Sequence, residues 1–188
     1  DRYHNVLDLC AGTLAMTKSL LKINPSVKID AVDFSESMLK VGLEKLPFAS
    51  RERVHIHCQD AMNLEFPQNT FDGAMCAYGL RNIADNKAVL KSLKKVLKPK
   101  GKLVILDFYA PEKIFAKVFQ ASYANLVIPT LGRLISKNKA AYHHLKNSMK
   151  EYYTPTAYRA LLDSVGFKNI TVKPQSGGIS YLITGEAS

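Results

Sequence analysis

The sequence is poor in cysteine, has no apolar run long enough to cross a membrane, and contains no internal repeat or low-complexity tract. Each absence removes a class. The three cysteines, Cys10, Cys58 and Cys76, are an odd number without CxxC spacing, which argues against a disulfide framework and against a zinc site. All lie in or beside apolar runs, so they are expected to be buried, unpaired packing residues in a reducing, cytosolic setting. No apolar stretch nears the ~20 residues that a membrane-spanning helix needs. The opening DRYHNVLDL goes straight into a strand and does not read as a signal peptide; so abrupt an opening suggests that residues before Asp1 lie outside this sequence. Acidic residues are scarce, 16 Asp+Glu against 26 Lys+Arg, giving a net charge of +10. Such a balance suits nucleic acid, an anionic membrane face or an acidic ligand. The lysines are dispersed over 91–102 and 137–150 without a zinc-knuckle, KH-like or RNP-like signature. A solvated helix face accounts for them, and nucleic acid is not an expected partner.

What is present is a single globular domain. At 188 residues, 47% hydrophobic and 22% charged, the chain is long enough for a proper core. Short apolar runs alternate with amphipathic stretches. NVLDLC, VKIDAVDF, RVHIHCQD, FDGAMCAYG and GKLVILDFY read as five strands. Helices are expected over 13–23, ended by Asn24-Pro25, over 35–46, capped by Ser35, and over 85–97, ended at Lys98-Pro99. Nearly all-apolar strands separated by helices predict an α/β fold, a doubly wound, Rossmann-like, mostly parallel sheet covered on both faces. After Tyr109 the rhythm changes. Residues 110–150 read as a helical insert rich in aromatics and lysines, not as a second domain. A helix beginning at Thr154-Pro155 closes at Gly166. KNITVKP and GISYLITGE then form a hairpin that places an antiparallel strand at the sheet edge.

Ligands in such sheets bind beyond the carboxyl ends of the strands, where strand order reverses. The loop after the first strand offers Asp8-x-Cys10-x-Gly12-x-Leu14. A nucleotide loop needs small residues where backbone meets ligand; Cys10, Ala11 and Gly12 satisfy this, and Leu14 is the misfit. Thr13 offers a hydroxyl at a helix start whose free N–H groups attract an anion. Asp33 ends the second strand, 25 residues after Asp8, where a carboxylate accepts from both ribose hydroxyls. Asp60, followed by Ala61 and Met62, ends the third strand and suits the amine of adenine, with Phe34 or Met62 against the ring. Met38 lies in the helix that follows Phe34. Ala77 and Tyr78 end the fourth strand and would floor the pocket. No metal site is expected.

LDLCAGT, VDFSESML, QDAMNLEFPQNTFD, YGLRNI and VLKPKGKLVILDF together resemble the class I S-adenosylmethionine-dependent methyltransferases. YGLRN with IPTLGRLISKNKAAYHHLKNSM is similar to the ubiquinone/menaquinone biosynthesis C-methyltransferase family in particular. The resemblance spans nearly the whole chain. It implies S-adenosyl-L-methionine as cofactor, held by Thr13 and Asp33, with Asp60 and Ala61 at the adenine and Ala77 at the pocket floor. The family commonly has Ala where this chain has Cys10, Gly for Leu14, Asn for Asp60 and Ser for Ala77. Leu14 is the significant departure: either it faces away from the cofactor or it weakens binding.

The reaction so implied moves a methyl from a sulfonium to a ring carbon of a prenylated quinol. That carbon is a poor nucleophile until a neighbouring hydroxyl loses its proton. Arg81 is expected to face the resulting oxyanion and to orient a water that takes the proton, since a guanidinium stays protonated. Asn82 would hold the other ring oxygen. Tyr142 and His143, in the insert, are candidate proton acceptors. The apolar stretch 115–135 suits a prenyl tail, and the nearby lysines suit anionic headgroups, so the enzyme is expected to be cytoplasmic with peripheral contact at the inner membrane face. Whether it acts alone, as a homodimer or in a complex stays open. Two alternatives stand beside this reading: a methyltransferase acting on another small molecule such as a phenol or lipid, and a non-catalytic subunit of the same fold. AYGL follows the fourth strand where a nucleic-acid methyltransferase would carry DPPY or NPPY.

Overall fold

The computed structural model describes residues 3–112 and 152–188. Seven strands form one sheet: β1 Asn5–Leu9, β2 Lys28–Asp33, β3 Val54–Cys58, β4 Phe71–Ala77, β5 Leu97–Phe108, β6 Phe167–Gln175 and β7 Ser180–Ala187. Their spatial order is β3-β2-β1-β4-β5-β7-β6. The first five run parallel. β7 runs against both neighbours, with Ile183 opposite Ile105 on one side and Val172 on the other. The antiparallel strand expected from the C-terminal hairpin is present, one place in from the edge, with β6 outermost. Among the described residues the α-helices are α1 Ala15–Ile23, α2 Glu36–Glu44, α3 Phe48–Arg51, α4 Asn86–Val96 and α5 Pro155–Val165.

Alternate residues of each central strand point to opposite faces. Leu7, Leu9, Ala74 and Cys76 join one buried cluster with Val89, Leu93, Tyr158 and Leu162 from α4 and α5. Val6, Ile29, Ala31 and Met75 join another with Leu21 and Leu39 from α1 and α2. Both faces are therefore covered, which is why these strands read as unbroken apolar runs.

The helix starts follow their caps. Ser35 Oγ accepts from Met38 N, Asp85 Oδ1 from Ala88 N at 2.9 Å, and Thr154 Oγ1 from Ala157 N at 3.2 Å. Gly166, at φ 98°, closes α5. α1 departs from expectation: it begins at Ala15 rather than Thr13, because Leu14 sits in the left-handed region at φ 61° without a side-chain cap. The short α3 and the 3-10 turn Leu80–Asn82 have no clear periodicity and were not expected. Of the cysteines, all free, only Cys76 is buried; Cys10 is half-buried and Cys58, ending the edge strand β3, is exposed. The expectation of three buried packing thiols is corrected accordingly. The helical insert from residue 113 onward, including the apolar stretch 115–135, Tyr142 and His143, lies outside the described residues.

Candidate cofactor site

The strand order reverses between β1 and β4, and a cavity of about 580 Å³ lies beyond their carboxyl ends. That volume suits a nucleotide-sized ligand. The backbone around it is tightly wound. Cys10, Gly12 and Leu14 have φ of 56°, 52° and 61°, and Tyr78 at the end of β4 has 58°. Left-handed non-glycine residues cost of order 1–3 kcal/mol each and persist where surrounding contacts hold them. Here Ala11 N donates to Val32 O at 3.0 Å and Leu14 N to Ala11 O at 2.8 Å. A side chain at Gly12 would be strained by its φ of 52°, and its Cβ, 3.1 Å from Met38 Cε, would push that methyl group aside.

Asp33 joins this loop to the next helix. Its Oδ2 accepts from Gly12 N at 2.8 Å and its Oδ1 from Ser35 N at 2.9 Å. A carboxylate has about four acceptor positions, so two remain for a ligand. Cys10, Gly12, Asp33 and Met38 line one side of the cavity, and Asp60, Ala61 and Met62 line the β3 side. Phe34 also lines it, 84% exposed. Asp60 Oδ1 accepts from Met62 N at 2.8 Å, which fixes the turn. Tyr78 and Asn82 form the opposite wall with Ile83. The cavity is thus one of small residues and backbone at its neck, two carboxylates, and an apolar rim. This donor set fits a cationic sulfonium nucleoside. Sequence reasoning missed Gln59 and Gly79, which also line it. Gln59 carries no charge to mark it, while Gly79 stands inside the YGLRN motif.

Four expected site residues lie elsewhere. Thr13 is exposed and Ala77 half-buried, and neither lines the cavity. Asp8 is buried beneath the loop, its Oδ2 accepting from Thr17 N at 3.0 Å and Thr17 Oγ1 at 2.6 Å. It anchors α1 and does not reach a ligand directly. Arg81 is the larger correction. Its Nη1 donates to Asp107 Oδ1 at 2.8 Å and to the Tyr78 carbonyl at 2.6 Å, and its guanidinium lies over the Phe108 ring. Asp107 is fully buried. Desolvation ties the cation to that carboxylate, so it does not face the cavity as expected.

Leu14 is accounted for. Its side chain is 1% exposed and packs with Leu39 and Leu21, away from the cavity. α2 makes room with Gly42, where a Cβ would lie 2.6 Å from Leu14 Cγ. The loop's leucine is matched by a glycine on the facing helix.

Burial pushes the Asp8 carboxyl up from 3.8 to about 6, opposed by its hydrogen bonds to Thr17. The folded chain therefore binds this proton more tightly than the unfolded chain between those values. The resulting stability is fully present below pH 3.8 and is lost as pH rises through 6. Relative to Asp8→Asn, the intact chain should gain about 2 kcal/mol between pH 7.5 and pH 4.5. Urea unfolding of both proteins at the two pH values checks this; a constant difference would contradict it.

The profile of the ubiE/COQ5 methyltransferase family matches residues 1–186. The chain is 34% identical over 184 residues to the ubiquinone/menaquinone biosynthesis C-methyltransferase UbiE of Saccharophagus degradans, covering 97% of this chain and 74% of that one. It is 36% identical over 180 residues to a demethylmenaquinone methyltransferase of Staphylococcus aureus, covering 95% and 74%. Among solved structures, a SAM-dependent methyltransferase from Aquifex aeolicus superimposes with a TM-score of 0.71 at 19% identity, over 98% of this chain and 82% of that one. Human N-acetylserotonin methyltransferase in complex with SAM gives 0.69 at 19% identity, over 99% and 48%. With its sheet order, its cavity and these matches together, the chain belongs to the ubiE/COQ5 methyltransferase family and is an S-adenosylmethionine-dependent methyltransferase.

Proposed function

We propose that this enzyme methylates a ring carbon of a prenylated quinol, with S-adenosylmethionine bound in the cavity beyond β1, β2 and β4. The observation that carries the cofactor placement is Asp33, which is fixed by Gly12 N and Ser35 N and retains acceptor positions for ribose hydroxyls. Asp60 would accept from the adenine amine, with Phe34 and Met62 supplying apolar surface against the ring. Bound there, the cofactor supplies an electrophilic methyl group on a sulfonium. The names of the relatives, a ubiquinone/menaquinone C-methyltransferase and a demethylmenaquinone methyltransferase, support the quinol as acceptor.

On the acceptor side the chain's task is to hold a quinolate carbon in line, since positioning supplies much of the acceleration in such transfers. Asn82 lines the cavity on the Leu80–Asn82 turn, and its amide suits a ring oxygen. Arg81 contributes by fixing that turn to β5 through Asp107. Tyr142 and His143 remain our candidates for taking the quinol proton. A prenyl tail favours peripheral contact with a lipid surface, and no helix among the described residues is long and apolar enough to cross a membrane.

Calorimetric titration of S-adenosylmethionine tests the placement. Asp33→Ala should weaken binding at least 100-fold, about 2.8 kcal/mol. Turnover of a demethylated prenyl quinol by the intact chain would then carry the acceptor. Cofactor binding without that turnover would favour another small-molecule acceptor, and no binding would overturn the placement of the cofactor in this cavity.

A further inference from the structure

We propose that Cys10 and Cys76 are a thiol–disulfide modification site in the wall of the cofactor cavity: a peroxide-class oxidant joins them in an intramolecular disulfide that lowers cofactor affinity until a thiol reductant removes it. This rests on the cofactor placement above.

The site arises from a local departure in the backbone. Leu9 pairs directly with Cys76 across β1 and β4. Were β1 to continue straight, Cys10 would point to the face opposite Cys76. The left-handed turn at Cys10, φ 56°, returns its side chain to the side of Cys76, beneath Gly79. Gly79 arches over both: a Cβ there would lie 2.8 Å from Cys10 Sγ and 3.4 Å from Cys76 Sγ. Two sulfurs that near one point lie no more than about 6 Å apart, so a modest side-chain movement brings them to bonding distance.

The two thiols have distinct roles. Cys10 lines the cavity and is half-buried, so solvent and small oxidants reach it. Cys76 is 2% exposed. The nearby Cys10 and its own burial push its thiol up, so Cys76 is protonated until Cys10 has been oxidised. The Cys10 sulfur attacks the peroxide and gives up its proton, the O–O bond breaks, and that proton leaves with the departing oxygen as one water while the sulfenic acid forms. The Cys76 sulfur then attacks that sulfenic sulfur, losing its proton and expelling the second water. In total two thiols and one peroxide give one disulfide and two waters. The new bond is about 2.05 Å, well inside thiol contact distance, so Cys10 is drawn toward β4. Gly12 follows two residues later, and its N–H is the partner of Asp33.

The test uses the full chain in a Cys58→Ser background, because Cys58 is exposed and would crosslink molecules. Hydrogen peroxide is added, then intact mass, non-reducing peptide mapping and calorimetric titration of S-adenosylmethionine are run before and after dithiothreitol. The expected result is a loss of 2 Da, a Cys10–Cys76 peptide pair, and at least tenfold weaker binding that dithiothreitol restores. In a further Cys76→Ala variant the reversible mass loss should vanish. Oxygen addition at Cys10 with Cys76 still free would overturn the proposal, as would a disulfide that leaves affinity unchanged. The mass readout needs no cofactor: a reduced chain that forms the bond yet never binds S-adenosylmethionine would overturn the cofactor placement and the proposed switch with it.

Discussion

Asp107→Ala should destabilise the fold by about 3–5 kcal/mol, the cost of leaving one partner of a buried ion pair uncompensated. The Asp107 side chain is 0% and the Arg81 side chain 12% exposed, and the carboxylate is the hub of the turn above it. It accepts from Arg81 Nη1 at 2.8 Å, from Phe108 N at 2.8 Å and from Arg81 N at 3.3 Å. Burial pushes its pKa up, against the pull of Arg81. Domains are typically stable by only 5–15 kcal/mol, so the variant should be partly unfolded near 37 °C. Thermal and urea unfolding measure this. The paired replacement Arg81→Met with Asp107→Asn removes both charges and retains an acceptor for a backbone N–H. It should recover most of the lost stability. That double variant also separates the two roles of Arg81. If it folds, binds S-adenosylmethionine and turns over quinol at near the normal rate, Arg81 is the latch described here. If it folds and binds but turnover falls by more than 100-fold, the guanidinium acts on substrate after all, and our correction of its role fails.

Arg81 shows why part of the site was not legible in the sequence. A motif reports that a residue type is required, not which neighbour will claim its charge. Asp107 lies 26 positions away, within the strand GKLVILDFY, and nothing local ties it to the turn. Asp33 was legible because its place depends on local rules alone: a carboxylate ending a β-branched strand, just before a capping serine. Asp8 was misread for the reason that Arg81 was. Its spacing matched a nucleotide loop, but alternation along β1 turns it inward, where Thr17 takes it. The parallel sheet and its covered faces were legible from apolar runs, since both clusters follow strand alternation. The left-handed turns at Cys10, Leu14 and Tyr78 were not, because no propensity assigns that conformation to those residue types. Leu14 needed knowledge of Gly42, which only the packing of α2 against the loop supplies.

Gly79→Ala should abolish cofactor binding in the calorimetric range, a loss of at least 100-fold, while reducing stability by only about 1–3 kcal/mol. Gly79 itself is not in the left-handed region, so the effect is one of space. A Cβ at this position would lie 2.3 Å from Cys10 Cβ, closer than any real contact, and the neighbouring atom is the stiff root of a side chain rather than its flexible end. Cys10 must move, and the wound segment that it begins carries Gly12 N away from Asp33. The second substitution follows from the same geometry. Cys10→Gly removes the clashing Cβ and relaxes the φ of 56°, which glycine adopts without strain. Both of the atoms closest to the new methyl group are then gone, and Cys76 Sγ stands 3.4 Å from it. Cys10→Gly alone should bind within a few-fold of the parent, and Cys10→Gly with Gly79→Ala should recover most of what Gly79→Ala lost. Contacting residues show coupling of up to about 3 kcal/mol in such cycles. Additive effects would mean that Gly79 serves the site through something other than its closeness to Cys10, and the account of the loop as the neck of the cofactor cavity would have to be rebuilt around the Leu80–Asn82 turn.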